Sequence, residues 1–204
     1  MLASWTLLGA AVAGHAEAPS FDCGKAESAA ETAVCGDAEL AQLDRELARL
    51  YRLALGGPHL TAVGEKELKA TQRGWVKGRD DCWKAEDVGV CVKTEYVVRI
   101  GEVRQAYFDA RSDDGVGISL GPFVAECPGL DAAMGTVFVN SDPGAVYLAW
   151  RDRVAVLDRV LSASGAKYEA TLADGHYLFW NKGDGARFEA PGVAGTLECE
   201  LGEV

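Results

Sequence analysis

The sequence predicts an α+β chain: an N-terminal antiparallel helical domain followed by a small antiparallel β-barrel of about eight strands. Three observations predict it. Up to about residue 110, apolar side chains recur at three-to-four spacing, the period of an amphipathic helix. From residue 118 the period falls to two, and Gly, Pro, Asn and Asp interrupt it at short intervals, as they do between short strands. The chain also carries six Cys, an even number that suits three disulfides in an exported protein.

Residues 1–18 read as a secretory signal. Leu2 to Ala13 is mostly apolar and small residues follow, which places cleavage after Ala16 or Ala18. Pro19 directly after Ala18 favours Ala16. No Lys or Arg precedes Lys25, so the usual positive leading region is missing and the start assigned to the chain is expected to be too late. The apolar run is too short for a stable membrane anchor, and Cys23 follows Pro-Ser-Phe-Asp in place of a small-residue lipidation box. The expectation is an exported protein, periplasmic or secreted, without a lipid anchor.

Residues 19–112 are expected to be helical after a polar, Ala-rich lead over 19–36 that holds Cys23 and Cys35. Asp37 can cap a first helix bearing Leu40, Leu43, Leu47, Leu50, Tyr51 and Ala54 on one face, and Gly56-Gly57-Pro58 ends it. A second helix is expected over about 60–82, with Leu60, Val63, Leu68, Trp75 and Val76 inward. A third is expected over about 88–110, with Val92, Tyr96, Ile100, Val103 and Tyr107 on one face. Short loops make these helices antiparallel neighbours. Trp75 and Trp83 read as core; Arg73, Arg79, Asp80 and Asp81 read as a salt-bridge network. Four Cys here allow three connectivities. Antiparallel packing favours Cys35–Cys82 with Cys23–Cys91, and the local pairs Cys23–Cys35 and Cys82–Cys91 stay open. Asp113 to Gly117 reads as a linker.

Over residues 118–204 strands are expected at 118–126, 134–139, 145–150, 153–161, 166–172, 176–182, 186–190 and 195–201. Cys127, after the first, and Cys199, in the last, can close the barrel. Asp174-Gly175 is a strong two-residue hairpin signal, because both central residues of such a turn take positive φ. That turn would set Ala173 opposite His176 and Lys167 opposite Lys182. Ser164 and Lys182 would then share the open end of the hairpin, within about 10 Å along the strand. Gly165, Gly183 and Gly185 flank them, so both side chains are expected on tight loops.

Ser-Gly-Ala-Lys-Tyr at 164–168, Phe-Trp-Asn-Lys-Gly-Asp-Gly-Ala at 179–186 and the late Cys199 resemble the family of membrane-bound and periplasmic inhibitors of C-type lysozyme. The resemblance covers roughly residues 118 to 204. It implies that Ser164 and Lys182 enter the lysozyme cleft and contact its catalytic carboxylates. Around them, Gly165 and Gly183 shape the loops, Tyr168 is expected to pack beside Ser164, Asp184 to pair with Lys182, and Arg187 to make a peripheral contact. The N-terminal half resembles the LprI-type lysozyme-inhibitor domain. That likeness rests on Ser-Phe-Asp-Cys at 20–23, Val-Cys-Gly-Asp-Ala-Glu-Leu-Ala-Gln-Leu-Asp at 34–44, Gln-Arg-Gly-Trp at 72–75, Arg-Asp-Asp-Cys-Trp at 79–83, and Cys91 with Tyr96. The implied partner is a basic C-type lysozyme.

Charge agrees with such a partner. The net charge is −11; residues 1–115 carry 14 basic and 19 acidic side chains, and residues 116–204 carry 6 and 12. Two acidic halves argue against nucleic acid and are compatible with a basic partner, although taken by itself a negative surface is better read as keeping an exported protein soluble. An enzyme is not expected. Ser164-Gly-Ala-Lys167 is an S-x-x-K string, but the nucleophile motif of penicillin-binding enzymes opens a helix and is followed by K-T-G; here the string enters a strand. His59 and His176 are badly placed for a triad with Ser164. No C-x-x-C pair or phosphate loop is present, so neither a metal nor a cofactor is expected. The competing expectation is a non-inhibitory module that binds an envelope protein or a peptidoglycan fragment.

Overall fold

The computed structural model describes residues 17–111 and 115–204. The apolar run of the expected signal, through residue 16, and positions 113–114 of the expected linker lie outside the described residues. Among the described residues no helix is long and apolar enough to cross a membrane.

Among the described residues the N-terminal half holds four α-helices, one more than expected. Helix α1 (Ala29–Gly36) opens on a capping box in which Ser28 and Glu31 satisfy each other's backbone N–H groups, a stop for two orphan donors at once. It turns the Ala-rich lead back on itself, and Cys23 bonds to Cys35. Helix α2 (Ala38–Gly56) starts at the expected cap, with Asp37 accepting from the Leu40 N–H at 3.0 Å. It buries Leu40, Leu43, Leu47, Leu50 and Ala54.

Helix α3 (Ala62–Asp80) is peripheral, so only part of its expected inner face is covered. Leu68 is fully buried and Trp75 packs on the core, but Val63 is 75% and Val76 36% exposed. Cys82 bonds to Cys91 across a single turn of 3-10 helix, Asp81–Lys84. That turn carries Cys82 inward and Trp83 outward. Trp83 is 63% exposed and stacks near Lys84; the core role expected of it does not hold. Of the charged residues expected to form a network, only Arg79 and Asp80 join: Arg79, 5% exposed, bonds Asp80 at 2.7 Å and the Tyr96 hydroxyl at 3.0 Å, while Asp81 pairs with Lys84 at 2.8 Å.

Helix α4 (Val88–Ala106) is the hub of the molecule. Its apolar residues are not confined to one stripe, because both of its faces are covered. Val92, Tyr96, Val97, Ile100 and Val103 are fully buried. One side meets α2 and the other meets the barrel, where the Tyr147 ring lies directly on Gly101: a Cβ there would sit 2.4 Å from the ring. Val137, Val139, Ala145 and Tyr147 of the barrel's outer face belong to the same apolar cluster as the helices.

The barrel is closed, with each strand antiparallel to the next and the first paired to the last. Its strands are β1 (Ser119–Glu126), β2 (Met134–Val139), β3 (Ala145–Trp150), β4 (Arg153–Val160), β5 (Ala166–Leu172), β6 (Gly175–Lys182), β7 (Gly185–Glu189) and β8 (Leu197–Glu203). A second apolar cluster fills the interior, including Met134, Phe138, Leu148, Trp150, Phe179 and Phe188. Cys127, just past β1, bonds to Cys199 of β8.

The β5–β6 hairpin differs from expectation. Its turn is Ala173-Asp174, with Leu172 opposite Gly175, Thr171 opposite His176 and Lys167 opposite Trp180. Gly175 takes φ +137° against Pro191. Asp174 does not take positive φ. Its carboxylate instead accepts from the Tyr177 hydroxyl at 2.8 Å and from Arg153, which draws the turn one residue toward β5. The pairing therefore slides by two positions. Because the side-chain period is two, every residue keeps its face.

Candidate functional site

The slide matters at the other end of the hairpin. With Ala166 opposite Asn181, the next position outward sets Gly165 beside Lys182. Gly165 takes φ +68°. A Cβ on it would lie 2.4 Å from the Asn181 carbonyl oxygen and 3.2 Å from the Lys182 Cβ. The backbone of the Ser164 loop thus rests on the end of β6. Ser164 and Lys182 are thus offset by one residue across the strand pair, in place of the three-residue offset expected.

Each of the two loops is held by its own bonds. The Trp180 indole N–H donates to the Ser164 carbonyl at 2.9 Å, and the Ser162 hydroxyl donates to the Gly165 carbonyl at 3.0 Å. On the neighbouring loop, Lys182 faces Gly185 across the two-residue turn Gly183-Asp184, with Gly183 at φ +59°. The Leu201 N–H donates to the Asp184 carbonyl at 2.7 Å, tying that turn to β8. Ser164, Lys182, Gly183 and Asp184 are all exposed.

Between the loops lies a shallow pocket of about 320 Å³ lined by Ser164, Trp180, Lys182, Gly185, Ala186, Arg187 and Glu198. It brings together three of the residues singled out in the sequence, namely Ser164, Lys182 and Arg187. Trp180 and Glu198 are additions. Trp180 was legible, since it stands two residues before Lys182 and so shares its strand face. Glu198 was not, because it enters only through the β7–β8 register, which sets it opposite Arg187. The Arg187 guanidinium lies 6.0 Å from the Trp180 ring centroid and bonds Glu198 at 3.0 Å.

Two expectations are corrected. Tyr168 does not pack beside Ser164. It points into the barrel, 2% exposed, with its ring 5.9 Å from Phe138. Burial pushes its hydroxyl pKa up, and Arg159 partly offsets this. Asp184 does not hold Lys182: among the described residues no ion pair joins them, while Lys167 is taken by Glu169 at 2.5 Å. Asp184 contributes its backbone carbonyl in place of its charge.

The two His among the described residues lie away from Ser164. His176 pairs with Thr171 beside the hairpin turn, at the opposite end of β5. His59 bonds Asp109 at 2.8 Å in the helical half, and this bond holds the Asp109 carboxyl below its ordinary range. Chemically, the pocket offers the Lys182 and Arg187 cations, the Ser164 hydroxyl and the Glu198 carboxylate that already engages Arg187. That set is suited to receiving a carboxyl group from outside.

Neither a curated protein nor a solved structure matches the chain. Two family models do match, one over each half, and both describe lysozyme inhibitors, which points to lysozyme as the partner. The helical half, over residues 23–111, matches the lysozyme inhibitor LprI family, and the barrel half, over residues 126–197 and with it Ser164, Lys182 and Arg187, matches the family of membrane-bound lysozyme-inhibitor of c-type lysozyme.

Proposed function

We propose that this protein is an exported, non-catalytic inhibitor of C-type lysozyme, acting in the periplasm or outside the cell, and that it plugs the lysozyme cleft with Ser164 and Lys182. The observation that carries this reading is that Ser164 and Lys182 line one pocket from neighbouring tight loops, inside the stretch that matches the inhibitor family. A lysozyme cleft presents two carboxyl groups to the sugar, one a protonated acid with a raised pKa and one ionised. The Lys182 ammonium would be drawn to the ionised group. The Ser164 hydroxyl would hydrogen-bond the protonated one.

The energetics make the geometry decisive. A charge pair at 4 Å in an effective dielectric of 20 gains about 4 kcal/mol, and desolvation removes much of it. A side chain that must be ordered on binding would lose still more. Loops fixed by Gly165, the Trp180–Ser164 bond and the Asp184–Leu201 bond reduce that loss.

The test is lysis of a bacterial cell-wall suspension by a C-type lysozyme, titrated with the mature protein. Stoichiometric loss of lysis is expected. Lys182→Ala should weaken inhibition at least tenfold, since removing one partner of a buried charge pair costs about 2–5 kcal/mol. Its circular dichroism and melting temperature should stay put, because Lys182 is exposed. An unchanged inhibition constant removes Lys182 from the mechanism. No inhibition at large excess of wild type would leave a binding module for another envelope component.

A further inference from the structure

The pocket between the two loops holds its two cations differently. Lys182 has no ion pair among the described residues, whereas Arg187 is engaged through Nε by Glu198 at 3.0 Å. Both members of that pair line the pocket with Ser164 and Lys182. Both are well exposed, with side chains at 55% and 74%. The pair is therefore not a buried structural element. The register explains it: Trp180, Arg187 and Glu198 stand side by side on β6, β7 and β8, all on the outer face. Arg187 lies between an aromatic ring and a carboxylate.

We infer that Glu198 is a built-in competitor for the partner's carboxyl group, and that it sets how tightly the pocket takes an acidic side chain of lysozyme. The inference rests on the reading that this pocket is where lysozyme docks. In the free protein Glu198 neutralises Arg187 and leaves Lys182 as the pocket's only uncompensated cation among the described residues. A carboxylate entering from the partner meets Glu198 as a like charge and must share Arg187 with it. Without Glu198 the guanidinium would present its full fork to the incoming group, the geometry that favours bidentate carboxylate binding. Glu198 therefore lowers affinity for any carboxylate ligand.

The experiment is calorimetric titration of a C-type lysozyme with the wild type and four variants: Glu198→Gln, Glu200→Gln, Arg187→Ala and the double variant of the first and third. Glu200 is exposed on the same strand and faces Gly185, not Arg187. Its loss changes net charge equally without touching the pair. The competitor role predicts that Glu198→Gln tightens binding about two- to fivefold, the scale of an exposed ion pair. Glu200→Gln should leave affinity the same or weaken it, because it only reduces the attraction to a basic partner. In the Arg187→Ala background Glu198→Gln should tighten binding less than in the wild type, because the competition for the guanidinium is gone and only the like-charge repulsion is left to remove. Equal effects of the two Gln variants, or weaker binding by Glu198→Gln, would overturn the inference while leaving the inhibitor reading intact. A wild type that binds no lysozyme would overturn both, and it is measured first.

Discussion

Gly165 shows how one missing side chain organises the site. An added methyl group would collide with a backbone carbonyl, Asn181 O at 2.4 Å, and the residue already holds φ +68°. Neither problem can be relieved by turning a flexible side chain. Gly165→Ala should therefore push the Ser164 loop off β6. We expect a stability loss of about 1–3 kcal/mol from the strained backbone, and a loss of lysozyme inhibition larger than that of any neighbouring loop glycine. Gly183 is the internal comparison. It holds φ +59°, but nothing lies within 4 Å of its would-be Cβ, so Gly183→Ala should cost only the left-handed strain of about 1–2 kcal/mol. Equal inhibition constants for the two variants would show that the Gly165 contact does not position Ser164. The Ser-Gly and Lys-Gly pairs that carry this site were legible in the sequence, because glycines flanking polar side chains already imply tight loops. Their spacing was not. It depends on a two-residue slide of the hairpin caused by Asp174, whose carboxylate finds Tyr177 and Arg153, and no local pattern announces those partners. Tyr168 was misread for a similar reason: its motif position says it is near Ser164 in sequence, while strand parity sends its ring into the barrel.

At the scale of elements, the eight strands lie within two residues of where alternation and turn residues put them, because each is short and punctuated. Helix α1 was missed although Ser28-x-x-Glu31 is a capping-box string, since the Ala-rich residues after it show little periodicity. That omission also hid the cystine pattern. Without α1 nothing brings Cys23 to Cys35, and the favoured pairing joined separate helices. The bonds that form are two local ones, spanning 12 and 9 residues, and one that spans 72. Their contributions should rank by loop length. The Cys127–Cys199 bond should be worth about 4 kcal/mol in the loop-entropy account, and it sits where β1 meets β8 to close the barrel. Replacing both of these Cys by Ser should lower the denaturant midpoint more than replacing Cys82 and Cys91. It should also loosen the end of β8, next to Arg187 and Glu198, so inhibition should weaken too. A midpoint loss equal to or smaller than that of the Cys82/Cys91 variant would refute the ranking.

At the scale of the whole molecule, the two halves are joined by a buried polar relay that no sequence pattern displayed. Glu46 of α2, 4% exposed, accepts from the backbone N–H groups of Ile118 and Ser119 at 3.3 Å, from the Ser119 hydroxyl, and from Arg49 at 2.9 Å. Arg104 of α4, 1% exposed, donates to the Gly121 carbonyl at 2.6 Å and to the same Ser119 hydroxyl at 3.2 Å. Helices and barrel therefore share an ionised carboxylate, a hydroxyl and a guanidinium at their seam, beside the apolar contact of α4 with β2 and β3. Burial pushes the Glu46 carboxyl pKa up, but the bonds from Arg49 and Ser119 more than offset it, and the net direction is below the ordinary 4.5. A carboxyl whose pKa is depressed by folding stabilises the fold fully above its unfolded value and loses that contribution as pH falls through the folded value. Stability should thus be flat from about pH 7 down to about pH 5 on this account, and should fall at more acidic pH as Glu46 takes up a proton. Glu46→Gln keeps the shape and removes the titration. It should lower the melting temperature at neutral pH, by an amount set by breaking a buried charged contact, about 3 kcal/mol. The same variant should flatten the acid limb of the melting curve measured between pH 3 and 7. Glu31 is also held below its ordinary range, by the backbone N–H groups of Glu27 and Ser28, so some acid sensitivity should survive in the variant. An acid limb as steep as that of wild type would mean that the seam between the halves does not carry the pH dependence. A flattened one would make Glu46 the residue through which acid uncouples the helices from the barrel that presents Ser164 and Lys182.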